Sequence, residues 1–376
     1  MEIAVSYSQN KNSKKAGEEI AKNILKKTGQ PDLIILYTTE FFNQKDVIAG
    51  IKKTIKNSKI IGCCAAGIIT SKGVFKDAVG IMSIKSDKLK CITDIEVNVS
   101  KNARIAGINA GKKLLKSSVQ NGTVLVLPDG FASNIAEIVK GLYQIMGSDY
   151  EFVGGGTGDN LKFFKTYQFN EKKLASDALA AALISGIKIQ TRIGHGWMPM
   201  GDPLLISKTK GKKIVKIDGK PAFQAYSNLF KDITSKNFSY YGMIHPFGLP
   251  NIEGEYIIRD PVKVNDDGSI DCVTEVPENS MVHIMSGNKK CLIKAAAKVA
   301  KDSIKSFKNP KFVWIFDCIS RYMLLGKDYK HELDAIIKTI GKDVPLLGIL
   351  TFGEVGGRYD GPPLFHNKTL VITLGK

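Results

Sequence analysis

Residues 152–184 read FVGGGTGDNLKFFKTYQFNEKKLASDALAAALI. A short apolar strand enters a turn with glycine at 154, 155, 156 and 158, and Asp159 and Asn160 follow. A polar bridge then leads to a second apolar strand ending at Ile184. Glycines packed this densely let backbone amides approach a ligand, or let two chain segments touch without side chains between them. The arrangement occurs twice more. IIGCCAAGII starts at Ile60 and is followed by KDAVGIMSI, and LLGILTFGEV starts at Leu346 and is followed by HNKTLVITL. In each copy two apolar residues lead a glycine, and an Asp or Asn precedes the closing strand.

Working backward from each turn, a helix-length stretch comes first, at 44–57, 133–146 and 330–341. Before it lies a buried strand, LIILY, TVLVLP or FVWIF, and before that a Lys-rich amphipathic helix at 13–28, 101–118 and 288–308. EIAVSY, CITDIEV and MVHIMS open the three copies. The fold class expected is therefore α/β, with three related β-α-β-α-β-turn-β units at about 2–85, 90–187 and 281–375. Units one and two, joined by a few residues around Lys88, are expected to share a sheet or pack as a close pair. Between units two and three the pattern turns to strands, Gly/Pro turns and aromatic residues, a β-rich insert able to cap or line a cleft.

Composition narrows the function classes. The 376 residues are enough for two or three cores. The start, MEIAVSYSQN, reads as a strand and not as a leader, and no apolar run approaches a membrane span. The six cysteines lack paired-motif spacing, which points to a reduced, cytoplasmic compartment. The net charge of +18 invites a nucleic-acid reading, yet only five of 54 basic residues are arginine, and the lysines sit on outer helix faces. Base-edge and bidentate phosphate contacts favour arginine, so no specific nucleic-acid partner is expected, and no membrane partner.

Loops after the second strand of each unit lie where open α/β sheets bind ligands. They carry Thr38, Thr39 and Glu40, then Asp129 and Gly130, then Asp317, Ser320 and Arg321. Turn and helix-cap duty is the competing role for Asp129 and Ser133. The scarce arginines stand out where Lys is otherwise the rule. Arg259, Arg321 and Arg358 are candidates for a planar carboxylate contact, with Glu354 and Asp129 for an ammonium. The competing role for such an arginine is an internal bridge to Asp317, Glu354 or Asp360. Cys64 and Cys318 are the candidate thiolates, although no histidine is spaced to pair with either. His195 in GHGW, near Trp197 and Met200, is the one candidate haem ligand. GGGTGD lacks the dinucleotide spacing. No metal-ligand spacing appears, and the reading names neither a catalytic set nor a cofactor.

GGGTGD, SDALAAALI, GHGWMPMGDPLLIS, IDGKPAFQAY, HPF, EYIIRDPV, DCISR, GILTFGE and LFHNKT together resemble the FIST domain proteins, in the family order and over essentially the whole chain. The resemblance implies a FIST N-terminal domain over 1–200 and a FIST C-terminal domain over 201–376. It implies an intracellular sensory module that binds a small ligand such as an amino acid and signals through a histidine kinase or another output protein. Some relatives are haem-binding nitric oxide sensors, which is the alternative; a cysteine-dependent enzyme is the remoter one. The ligand-binding set expected is Cys64, Gly67, Asp129, Gly155, Gly156, Gly158, Asp159, Asn160, Trp197, Arg321, Gly353, Glu354 and Arg358.

Overall fold

The computed structural model describes residues 1–117, 119–132, 134–251, 254–357 and 361–376. Ser118, Ser133, Arg358 and Asp360 therefore lie outside the described residues. The first stretch of chain forms β1 (Glu2–Ser8), α1 (Ser13–Thr28), β2 (Leu33–Thr38), α2 (Gln44–Thr54), β3 (Lys59–Cys64), the hairpin β4 (Ile68–Thr70) and β5 (Gly73–Phe75), and β6 (Val79–Lys85). The second repeats the order with β7 (Lys90–Val97), α3 (Ala103–Leu114), β8 (Gly122–Pro128), α4 (Ile135–Met146), β9 (Tyr150–Gly155), the hairpin β10 (Gln168–Asn170) and β11 (Leu174–Ala175), and β12 (Ala178–Ser185).

The third unit opens differently from expectation. Its edge strand is β13 (Ile189–Gly194), which pairs antiparallel with the closing strand β26 (Leu370–Gly375), as β1 pairs β6 and β7 pairs β12. MVHIMS does not open the unit. The insert thus lies inside the third unit, between its first strand and first helix, and not between units two and three. It comprises β14 (Met198–Lys210), β15 (Lys213–Ile217), β16 (Lys220–Pro221), α5 (Ala222–Ser227), α6 (Phe238–Ile244), β17 (Phe247–Pro250), β18 (Tyr256–Arg259), β19 (Pro261–Val264), β20 (Ile270–Cys272) and β21 (Ser280–Ser286). MVHIMS is within β21, which pairs with β14 and β17 in the insert's own sheet. The remaining elements are α7 (Lys289–Ser306), β22 (Phe312–Cys318), α8 (Ile319–Leu325), α9 (Tyr329–Ile340), β23 (Leu346–Thr351), β24 (Glu354–Gly356), β25 (Leu364–His366) and β26.

Three sheets share one strand order: β1-β6-β2-β3-β10-β11, β7-β12-β8-β9-β24-β25 and β13-β26-β22-β23-β4-β5. Each is completed by a neighbour's hairpin. Unit two lends β10–β11 to sheet one, unit three lends β24–β25 to sheet two, and unit one lends β4–β5 to sheet three. The exchange is cyclic, so units one and two do not share one sheet; they pack as a close pair, through the β10–β11 hairpin and a common inner core. The glycine turn is where each chain leaves its own sheet for the next.

The reason the central strands read as unbroken apolar runs is now plain: both faces are covered. Inner faces meet in one core that includes Ile35, Ile61, Leu125, Ala180, Trp314 and Ile349. Outer faces are covered by helix pairs, with Ile20 and Val47 on Ile34, Ala106 and Ile138 on Val126, and Leu292 and Ile336 on Ile315. The first helix of every unit is capped alike. The side chains of Asn12, Asn102 and Asn288 accept hydrogen bonds from the amides of Lys15, Ile105 and Cys291. The insert packs its own core around Ile206, Tyr226, Phe238, Phe247 and Val282. Among the described residues no helix is long and apolar enough to cross a membrane.

Candidate ligand cleft

Most of the residues marked in the sequence do come together, but as a packed junction. The Gly156 amide donates to Gly353 O at 2.8 Å, and the Phe352 amide returns a bond to Gly156 O at 2.9 Å. The Thr157 amide donates to Pro128 O and the Gly130 amide to Thr157 O, each at 2.8 Å. These turn amides are spent on unit three and on unit two's own neighbouring loop, which corrects the expectation that they await a ligand. The glycines are needed for contact: a Cβ on Gly158 would stand 2.0 Å from the Phe352 ring, and one on Gly155 would stand 2.6 Å from Thr351 Cγ2. Gly353 has φ +91 and lies against the Phe365 ring. Gly67 accepts from the Leu350 amide at 3.0 Å, closing the corresponding seam between units one and three.

The acidic candidates serve the backbone. Asp159 is buried and accepts from the amides of residues 162, 163, 164 and 165, at 2.9, 3.0, 2.8 and 3.4 Å. Asn160 lies half-buried at the start of that loop. Asp129 accepts from the Phe131 and Asp177 amides, each at 2.9 Å, and burial pushes its carboxyl up. Glu354 accepts from Thr351 Oγ1 at 2.7 Å and the Thr369 amide at 3.1 Å; burial, and behind it the charge of Asp317, pushes it well up. Burial also pushes the Cys64 thiol up to about 12, with Glu40 and Asp159 adding to the effect, and raises Cys318 further. Both therefore stay thiols near neutral pH.

Arg321 is fully buried. Its Nε donates to Asp317 Oδ1 at 3.0 Å, one terminal nitrogen to Glu332 Oε2 at 2.5 Å and the other to His195 O at 2.5 Å. Its first terminal nitrogen also reaches Leu292 O on α7 at 3.5 Å. The internal bridge is the role this geometry gives Arg321, in place of an anchor waiting in a solvated cleft. Burial opposes the guanidinium charge, but Glu332 and Asp317 outweigh it and raise the pKa, while burial pushes Glu332 well up against the pull of Arg321.

What Arg321 holds is the turn that builds a true cleft. Through the His195 carbonyl it fixes the GHGW segment, and through Leu292 it fixes α7. Gly194 and Gly196 let this segment lie directly on α7. A Cβ on Gly194 would be 2.4 Å from Val299 Cγ2, and one on Gly196, at φ +87, would be 2.9 Å from Ala295 Cβ. His195 Nδ1 accepts from the Trp197 amide at 2.9 Å, and the Trp197 indole N–H donates to Lys368 O at 3.3 Å. The result is a cavity of about 420 Å³ between β13, α7 and the insert, within the size range of small-ligand sites. Ile193, Trp197, Met198, Ala295 and Val299 give it an apolar wall; Arg192, Lys294, Lys298, Glu255 and Asp302 give it a charged rim. A smaller cavity of about 40 Å³ continues past His195 and Glu255 toward His366 and Thr369.

Of the marked residues, Trp197 and the alternative haem ligand His195 line this cleft; Arg321 supports it from behind. The α7 rim residues carry no mark in the sequence. Lys294, Lys298 and Asp302 recur at every fourth position of α7, which in sequence is indistinguishable from a solvated helix face. Among the described residues no group of three or more His, Cys, Asp and Glu side chains is placed to hold a metal ion.

Two family models match, and together they span most of the chain. Residues 32–220 match the FIST N domain and residues 222–357 match the FIST C domain. An uncharacterized protein of Methanocaldococcus jannaschii is 24% identical over 352 residues, covering 87% of this chain and 68% of its own length. An uncharacterized protein of Mycobacterium tuberculosis is 19% identical over 382 residues, covering 95% of each chain.

Proposed function

Because this chain belongs to the FIST family, whose domains are associated with sensory signal transduction, we propose that it is a noncatalytic cytoplasmic sensor of a small amino acid-like metabolite. The occupied state is read by a partner such as a histidine kinase. The observation that carries this reading is the cleft between β13 and α7. Its rim offers both signs of charge, Arg192, Lys294 and Lys298 for a carboxylate and Glu255 and Asp302 for an ammonium. The insert contributes Met198 and Glu255, so a ligand there touches both the third α/β unit and the insert. A ligand that favours one arrangement of these two bodies shifts the population a partner sees.

The test is a thermal-shift and calorimetric screen of amino acids and organic acids on the wild type and on Lys298→Glu. Lys298 is exposed, so the variant should melt with the wild type while losing most of the carboxylate affinity. A screen without a stabilising ligand, or binding indifferent to Lys298→Glu and Lys294→Glu together, would reject this site.

The haem alternative fits these residues poorly. A porphyrin needs an extended apolar slot, whereas this cavity has one apolar wall facing a rim of lysines and carboxylates. Protein purified from haem-supplied cells should show no stoichiometric Soret band. A strong band abolished by His195→Ala would put the haem reading first.

A further inference from the structure

The same cleft says which amino acids it should take, on the reading that it is a ligand site. We infer that it selects amino acids with a bulky apolar or aromatic side chain over those with a small polar or acidic one. Its polarity is distributed by depth. Lys294, Lys298 and Asp302 are exposed on α7, at the rim, where a zwitterionic head group keeps part of its water. The wall behind them is buried and apolar: Ile193 is 7% exposed, Trp197 3% and Val299 6%.

Three polar groups near that wall are engaged within the protein. The Trp197 indole N–H goes to Lys368 O, so the ring meets the cleft through its carbon surface. Thr191 Oγ1 pairs with Thr373 Oγ1 at 3.1 Å, and His195 Nδ1 accepts from the Trp197 amide. A ligand hydroxyl or carboxylate pressed against the Trp197 ring, Ile193 and Val299 would give up water without an equivalent bond, a cost that an apolar side chain avoids. A phenyl or branched aliphatic group would instead bury its surface on Trp197, Ile193 and Val299 and gain by it.

Trp197 also supplies the reporter. The chain has two tryptophans, and Trp314 is fully buried in the core between the sheets. Full-length Trp314→Phe leaves Trp197 as the sole indole. Titrated with L-phenylalanine, L-leucine, L-serine and L-aspartate, its emission should shift and saturate with the first two at concentrations at least about tenfold lower than with the others. Calorimetry on the wild type should give the same order. Ala295→Phe, which fills the wall, should abolish L-phenylalanine binding. Met198→Ser, at a side chain 61% exposed and so tolerant of change, should weaken L-phenylalanine at least about threefold while leaving L-serine unchanged. If L-serine or L-aspartate binds as tightly as L-phenylalanine, and Ala295→Phe blocks them all, the selectivity is overturned and the site stands. If none of the four binds the wild type, the site reading fails and this inference falls with it.

Discussion

A buried charge shows its role by what its removal leaves behind. Among the described residues Arg321 is the one cation bridged to both Asp317 and Glu332, where none of the three reaches water. Arg321→Met would leave two carboxylates without a cation, and breaking a buried pair from one side costs about 3–5 kcal/mol. Urea unfolding without ligand should register that loss, whereas an arginine kept only for ligand would leave apo stability unchanged. Glu354 makes a different prediction because it is held nearer its neutral form. A carboxyl raised in the fold contributes stability that is fully present below its unfolded value and is lost as pH rises through the folded one. Wild-type stability should therefore fall as pH climbs out of the acid range, and Glu354→Gln, which does not titrate, should not share that fall. Denaturant curves at about pH 5 and about pH 8 should show the variant's deficit shrinking at the higher pH.

At the scale of elements, the helix pairs are set by glycines that a helix would otherwise disfavour. A Cβ on Gly107 of α3 would stand 2.1 Å from Ile138 O, and one on Gly141 of α4 would stand 2.3 Å from Arg104 O. The two helices touch backbone to backbone. Gly141→Leu would force them apart and uncover Val124 and Val126 beneath. The gain in helix propensity, about 1 kcal/mol, is smaller than the overpacking loss of about 1–3 kcal/mol, so the melting temperature should drop. A helix-surface glycine would respond with the opposite sign, and an unchanged or raised melting temperature would show that the pair has room. In the sequence nothing local marks these two glycines. Their purpose depends on a partner helix that periodicity cannot place.

At the scale of the molecule, the cyclic hairpin exchange makes the three units mutually dependent. Sheet one lacks its β10–β11 edge unless unit two is present, and β4–β5 has no sheet unless unit three is present. Residues 1–87 expressed alone should fail to form a cooperatively melting monomer, because the outer edge of β3 would be unpaired and the inner face of the sheet uncovered. Circular dichroism melts and gel filtration of this fragment beside the full chain would check it; a sharp monomeric transition would argue that each unit folds by itself.

The repeated order of apolar strands, helices and glycine turns was legible in the sequence because both-face burial and helix amphipathy leave local, periodic marks. The helix caps came from the structure: Asn12, Asn102 and Asn288 accept from amides three residues away. The place of the insert was not legible. MVHIMS precedes α7 as an opening strand should, and only the pairing of β13 with β26 assigns the true edge. Nor did the sequence say that the glycine turns would meet one another, since a turn suited to holding a ligand is equally suited to receiving the backbone of Gly353 or the ring of Phe352. His195 and Trp197 were visible as an unusual motif, whereas Lys294, Lys298 and Asp302 were hidden on the outer face of an amphipathic helix. Local pattern fixes which residues are buried and which turn; long-range contact alone decides what each buried face and each turn is packed against.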